Sequence, residues 1–425
     1  MGDYIRLQLR ESLWAPPALA ALISIAIASL AYWTGGLLEN ITSMSISKAS
    51  LISLLGIFAS SMLTVSTFAV SAIIGAASGI ANSATPRASR LVLSDGRSQF
   101  VLAAFVAAFI YSIVSILALN ALDYGEGGRF LLFMGLIAIV AVVLLSFIQW
   151  IDSVLKLGRQ QTIIDKLAAI TIASASLERS GTMGGIAWDG DLPENAQAIH
   201  ADSFGYITAI DMKGLQKLAE QQDGQVILPL RTGDFADPGY PLAYFCGAKK
   251  LEDEDARTLA SKVMTYRIRN EDNDLRFNII NLSEVADRAL SPAINDPGTA
   301  IIVLDVMRTV LHRWCENRRG QDAAETGCDR VAIVELTAAE LMDDAFTAIA
   351  RDGAGMVEVA SRLQNTLASL ALTGERDVQE NALNISHEAL ELAVGALPRG
   401  SQRENVERLA RRVADNARNA GLQPD

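Results

Sequence analysis

Residues 51–81 read LISLLGIFASSMLTVSTFAVSAIIGAASGIA, and no Asp, Glu, Lys or Arg interrupts them. An apolar run of that length crosses the roughly 30 Å hydrocarbon layer as a helix, with some tilt. Its small and hydroxyl residues are ordered. Gly56, Ser60, Thr64, Thr67, Ser71, Gly75 and Gly79 follow one another at steps of four, four, three, four, four and four. At about 3.6 residues per turn, those steps draw one slowly drifting stripe along the helix. Phe58, Leu63, Val65, Val70, Ile73 and Ile74 fill the other faces. The stripe has two readings. It is a packing seam, because small residues let membrane helices approach and hydroxyls hydrogen-bond across the contact. Or it lines a hydrated path, where missing bulk leaves room for an ion.

On either side of this stretch, the composition of the 425-residue chain changes near residue 153. Long uncharged runs dominate before that point, and the composition of a soluble protein follows. Through Gln160 there are nine Lys and Arg against seven Asp and Glu, so the formal total of −12 leaves −14 for the remainder. An acidic soluble part argues against nucleic acid as a partner, and against that part lying flat on anionic lipid. Cys246, Cys315 and Cys328 are odd in number and widely spaced, which fits reduced thiols in a cytosolic domain. The N-terminus has no signal-peptide pattern, and its first apolar run reads as a retained span.

Four spans are expected: about Trp14 to Leu38, the striped helix, Phe100 to Leu122, and Arg129 to Ile151. Arg6 and Arg10 precede the first span; Arg87, Arg90 and Arg97 follow the second; Lys156, Arg159 and Lys166 follow the fourth. The intervening loops carry only Lys48 with Glu39, and Arg129 with Asp123 and Glu126. That alternation predicts both termini and the soluble remainder on the cytoplasmic side of the membrane. Arg87 and Arg90 sit at the cytoplasmic mouth of the striped helix, after Pro86. They pin the loop to headgroups or form a basic ring that favours anions.

The soluble half divides by pattern. Residues 154–190 read as an amphipathic connector helix and a Gly-rich loop. Residues 191–250 show short strands and tight turns, with Asp211 capping a short helix over Met212 to Gln221. Asp234 and Asp237 read as turn formers there. Residues 251–425 are mainly helical, with helices expected over Leu251–Tyr266, Leu275–Leu290 and five further segments, and a strand within Cys328–Leu336.

The most distinctive short stretch is Arg288-Ala-Leu-Ser-Pro-Ala-Ile-Asn-Asp-Pro-Gly-Thr-Ala300. Ser291 before Pro292, and Asp296 before Pro297, each place a capping side chain ahead of proline at a first helical position. The chain is expected to leave one helix at Leu290 and enter the next at Pro297, with Thr299 in its first turn. Asn295 and Asp296 are a structural corner or subunit contact, or they hold a ligand or cation. The stretch resembles the hallmark of the bacterial predicted membrane proteins grouped as domain of unknown function 2254. Thr85-Pro86-Arg87 after the second span, Phe204-Gly-Tyr-Ile-Thr-Ala-Ile-Asp211 and Arg231-Thr-Gly-Asp-Phe235 are similar to that family too, in the same order. The resemblance implies a membrane location and this architecture; it implies no activity.

No phosphate-binding GxxxxGK[ST] loop, dinucleotide GxGxxG or GxSxG elbow occurs. His200, His312 and His387 lack metal-ligand spacing, and no acid or base lies deep in a span. No cofactor, metal centre or catalytic residue is expected. The sequence thus predicts a membrane all-α part of four transmembrane helices over residues 1–153. A cytoplasmic α+β region follows, made of a small β-rich barrel or sandwich and a helical domain. A single polar stripe in four spans points to a homo-oligomer. Two functions fit: an ion or solute path gated by the cytoplasmic part, or a membrane-anchored sensor or scaffold using the Ser291–Thr299 corner.

Overall fold

The computed structural model describes residues 15–38, 46–83, 96–157, 160–177, 181–269, 274–319 and 327–421. They fall into two compact units, one over residues 15–82 and 96–162, the other from Ile163 onward.

The first unit is helical: α1 (Ala15–Leu38), α2 (Lys48–Ser83), α3 (Gly96–Ala121) and α4 (Glu126–Leu157). In hydrocarbon every backbone N–H must find its partner within the segment, which uncharged helices achieve. Three of the helices are long and apolar enough to cross a membrane, over Lys48–Gly75, Phe100–Ala121 and Glu126–Ile151. The expected first span is shorter: its described apolar part is Ala18–Thr34. Seventeen residues at about 1.5 Å each reach about 26 Å, short of a roughly 30 Å core. Leu22, Ile57, Phe68, Leu117, Leu145 and Ile148 stand exposed on the outer faces, an arrangement suited to lipid and not to water.

The tight packing in this unit lies among α1, α3 and α4. Side chains are absent on α4 where neighbours press closest. A Cβ at Gly128 would come within 2.8 Å of the Ala31 carbonyl oxygen, and one at Gly135 within 2.3 Å of the Tyr111 hydroxyl. Tyr111 and Tyr124 each donate a 2.8 Å hydrogen bond to a main-chain carbonyl on a neighbouring helix, those of Leu132 and Ala28. Helix α2 meets the others through a face of leucine, methionine and alanine side chains. Leu51, Leu55, Ala59, Met62 and Ala69 are its buried face.

The second unit takes in α5 (Gln160–Leu177) from Ile163 on. Ile163, Ile164, Leu167, Thr171 and Ala175 are fully buried, and Asn278 donates to Ser174 at 3.0 Å. Next come β1 (Ile186–Ala187), β2 (Gln197–His200), β3 (Gly205–Ile210), α6 (Met212–Gln221), β4 (Gly224–Leu228), β5 (Phe235–Ala236) and β6 (Pro241–Gly247). After them lie α7 (Asp253–Ser261) and β7 (Val263–Tyr266). The helical layer is α8 (Leu275–Leu290), α9 (Pro297–Arg319), α10 (Ala338–Asp352), α11 (Val357–Leu370), α12 (Arg376–Ala396) and α13 (Ser401–Asn419), with β8 (Val331–Ile333) between α9 and α10.

The strands form no closed barrel. One sheet has the order β1-β8-β4-β6-β2 and the other β5-β3-β7. Both face one apolar core that includes Ile207, Leu215, Val226, Phe245 and Val331. Closure fails because α6 covers part of that core, and because β8 enters from the far side of the helical segment to pair in parallel with β1 and β4. The β unit therefore draws β7 and β8 from beyond residue 250. The helix expected over 251–266 stops at Ser261, since the β-branched Val263 and Thr265 pair with β3 instead. The cap on α6 is as expected, with Asp211 Oδ1 accepting from the Gly214 N–H at 2.9 Å.

Candidate functional site

The stripe on α2 points away from its own bundle. Ser60, Thr64, Thr67, Ser71 and Gly75 are exposed and Gly56 is half-buried, on the side opposite Leu51, Leu55 and Met62. A Cβ at Gly56 or Gly75 would meet nothing within 4 Å. Each hydroxyl donates to its own helix one turn back: Ser60 to Gly56, Thr64 to Ser60, Thr67 to Leu63 and Ser71 to Thr67, all at 2.9–3.0 Å. The donors are thus satisfied in any surroundings, while the oxygen lone pairs stay open. Gly79 continues the helix, but its surroundings, and Arg87 and Arg90 altogether, lie outside the described residues.

The Ser291–Thr299 corner joins α8 to α9 at the expected boundaries. Asp296 is the cap: its Oδ1 accepts from the Thr299 N–H at 3.2 Å and its Oδ2 from the Thr299 hydroxyl at 2.7 Å. Ser291 is not an N-cap. Its hydroxyl turns back to the Arg288 carbonyl at 2.7 Å and closes α8, because no helix starts at Pro292. Asn295 takes a left-handed φ of 52°, which short polar side chains tolerate. The Asp296 N–H returns to the Ala289 carbonyl at 2.8 Å, so the turn is braced by its own backbone. Asn295 and Pro292 are exposed.

Spacing in sequence does not disclose a second constellation. Arg231, at the head of the Arg231–Phe235 loop, pairs with Glu340 on α10 and donates to the Glu335 carbonyl at 2.8 Å. Arg276 on α8 reaches Asp344 at 2.5 Å and Glu340 at 3.5 Å. Arg269 clamps Asp274, the cap of α8, through Nε and Nη2 at 2.5 and 3.0 Å, and lies over Phe277. In sequence its signal is the Arg231-Thr-Gly-Asp-Phe235 motif itself; the partners of Arg231 lie more than a hundred residues away. Burial favours a neutral Glu340, but the Arg231 guanidinium and the Thr337 N–H outweigh it and hold the carboxyl below its usual range. Asp234 and Asp237 do turn work, accepting from the N–H groups of Arg231 and Gly239.

Near the corner, Asp287 on α8 faces Asp352 at the end of α10. A hydrogen bond between the two carboxyls and burial push Asp287 up to about 6, with Arg351 opposing the rise. Among the described residues, no three His, Cys, Asp or Glu side chains converge as a metal-binding group.

Residues 10–369 match the family model described as predicted membrane protein, DUF2254. The chain belongs to this family. Uncharacterized proteins of Mycobacterium bovis and Mycobacterium tuberculosis are each 25% identical to it over 233 residues, which is 52% of this chain and 44% of the relative. The matched stretch thus spans less than half the length of those mycobacterial proteins. No solved structure matches the chain. Family membership makes this a predicted membrane protein, in keeping with its three apolar helices of spanning length.

Proposed function

We propose that this is a homo-oligomeric protein of the bacterial inner membrane, whose subunits meet along the outward stripe of α2 around a narrow path for an ion or small solute. Helix α1 serves as a fourth, short span, both termini are cytoplasmic, and the soluble unit controls the path without chemistry of its own. The observation that supports this reading is the ladder of Ser60, Thr64, Thr67 and Ser71 on the face the protomer itself leaves uncovered. Their open lone pairs suit water or a cation better than acyl chains.

A second reading is favoured by the hydroxyl hydrogen bonds. Because every donor on the stripe is already satisfied within α2, the same face can pack dry against a sister helix. The protein is then an assembled anchor or scaffold. Reconstitution of the full chain in liposomes separates the two. The path predicts ion flux that falls when Thr64→Leu and Thr67→Leu are introduced. An intact oligomer that stays silent under voltage and salt gradients supports the scaffold. A monomer in both detergent and bilayer defeats both.

A further inference from the structure

The helical layer holds a feature that the membrane reading leaves unused. A cavity of about 640 Å³ opens among α9, α11 and α13. That lies within the roughly 300–1,000 Å³ of small-molecule sites. Its wall carries one arginine from each helix: Arg308, Arg362 and Arg412. Arg308 and Arg362 share a single carboxylate oxygen of Asp305, at 3.4 and 3.2 Å. Each guanidinium has five N–H donors, so one shared oxygen leaves most of them uncommitted. Arg412 has no ion-pair partner among the described residues; the nearby Asp415 is taken by Arg418 at 3.3 Å. Glu358 is the one carboxylate on the described wall. Cations thus outnumber anions here, in a stretch of chain whose formal charge is −14.

The uncharged part of the wall narrows the class of ligand. Asn365 and Asn416 each commit one Nδ2 hydrogen, to the carbonyls of Ser361 and Ala368 at 2.9 and 2.8 Å. Their Oδ1 atoms are left as acceptors, which suit hydroxyl groups. No aromatic ring is among the described residues that line the cavity, and they offer no platform for a nucleobase.

We propose that this cavity binds a small phosphorylated polyol of the sugar-phosphate class, with Arg308, Arg362 and Arg412 gripping the phosphate and Asn365 and Asn416 accepting from the hydroxyls. Guanidinium forks match phosphate oxygens in pairs, and a monoester carries more charge for them than a diester. A lipid headgroup shares the chemistry but is a diester with one negative charge.

The test is calorimetric titration of the purified full chain in detergent, with glucose 6-phosphate, glycerol 1-phosphate, glucose and the diester glycerophosphoglycerol. The expected result is saturable binding of at least one monoester, with none for glucose and weaker binding for the diester. Arg412→Gln should weaken the monoester about tenfold or more, the scale of a lost charge-assisted contact. Glu358→Gln should tighten it severalfold, a gain that damaged folding cannot imitate. Both positions are exposed, so thermal unfolding should be unchanged. The proposal is overturned if neither monoester binds, if the diester binds as tightly, or if Arg412→Gln leaves the affinity unaltered.

Discussion

Replacing Arg231 by Met keeps most of the side-chain stem and removes the guanidinium, whose side chain is only 11% exposed. Two contacts disappear, the ion pair to Glu340 and the hydrogen bond to the Glu335 carbonyl. Breaking a fully buried pair costs about 3–5 kcal/mol. Glu340, however, is 34% exposed and keeps Arg276 at 3.5 Å and the Thr337 hydroxyl at 3.0 Å, so the loss belongs below that range. With the orphaned carbonyl included, about 2–3 kcal/mol is expected. For a unit of this size that is a fall in Tm of about 5–9 °C. The assay is scanning fluorimetry of the full chain in detergent at pH 7, run as a cycle with Glu340→Gln. The two substitutions should couple by about 1–2 kcal/mol. The sign with pH is also fixed. A carboxyl whose folded value lies below its ordinary 4.5 adds stability above that pH and loses it as acid protonates the folded form, so the penalty of Arg231→Met should shrink as the pH falls below 4.5. A Tm change under 1 °C, or strict additivity in the cycle, would refute the claim that this pair ties the loop to α10.

Gly135→Ala should cost about 1–3 kcal/mol, because the new methyl would overlap the buried Tyr111 hydroxyl and disturb its bond to Leu132; detergent thermal unfolding reads it. Asp296→Ala should cost about 1 kcal/mol by uncapping α9, whereas Asn295→Gly, at a left-handed φ, should be neutral or mildly stabilising; both are read by the same melt. Asp287 binds its proton more tightly folded than unfolded. Its contribution is full below about 3.8 and lost as pH rises through about 6. Asp287→Asn should therefore raise Tm more at pH 7.5 than at pH 5, and an equal shift at both pH values would contradict the carboxyl pair.

Much of the fold could be read from local pattern. Uncharged length marked α2, α3 and α4, and proline after Asp296 marked the start of α9 within a residue. What escaped depended on distance along the chain. The strand character of Val331–Ile333 was visible, but not that it fits between β1 and β4, because parallel pairing leaves no turn signal. Ser291 looked like Asp296 in sequence; only the direction of the chain after Pro292 tells a helix end from a helix start. The stripe on α2 was plain as a period, yet which way it faced depended on Met62 and Leu55 winning the contact with the bundle. The arginine cavity had no signature, since its three guanidiniums are spread over Arg308 to Arg412 and become neighbours only when α9, α11 and α13 pack.

The placement of β8 also governs how this protein is made. During synthesis the apolar helices leave the ribosome first, whereas β4 must wait for about a hundred further residues, and β1 for about 140, before their shared neighbour emerges. Until then two strand edges stand bare beside a half-built core, the kind of edge that recruits a foreign strand. A nascent chain halted just short of Val331 should therefore be the form most dependent on chaperones, and one released only a few residues beyond Ile333 far less so.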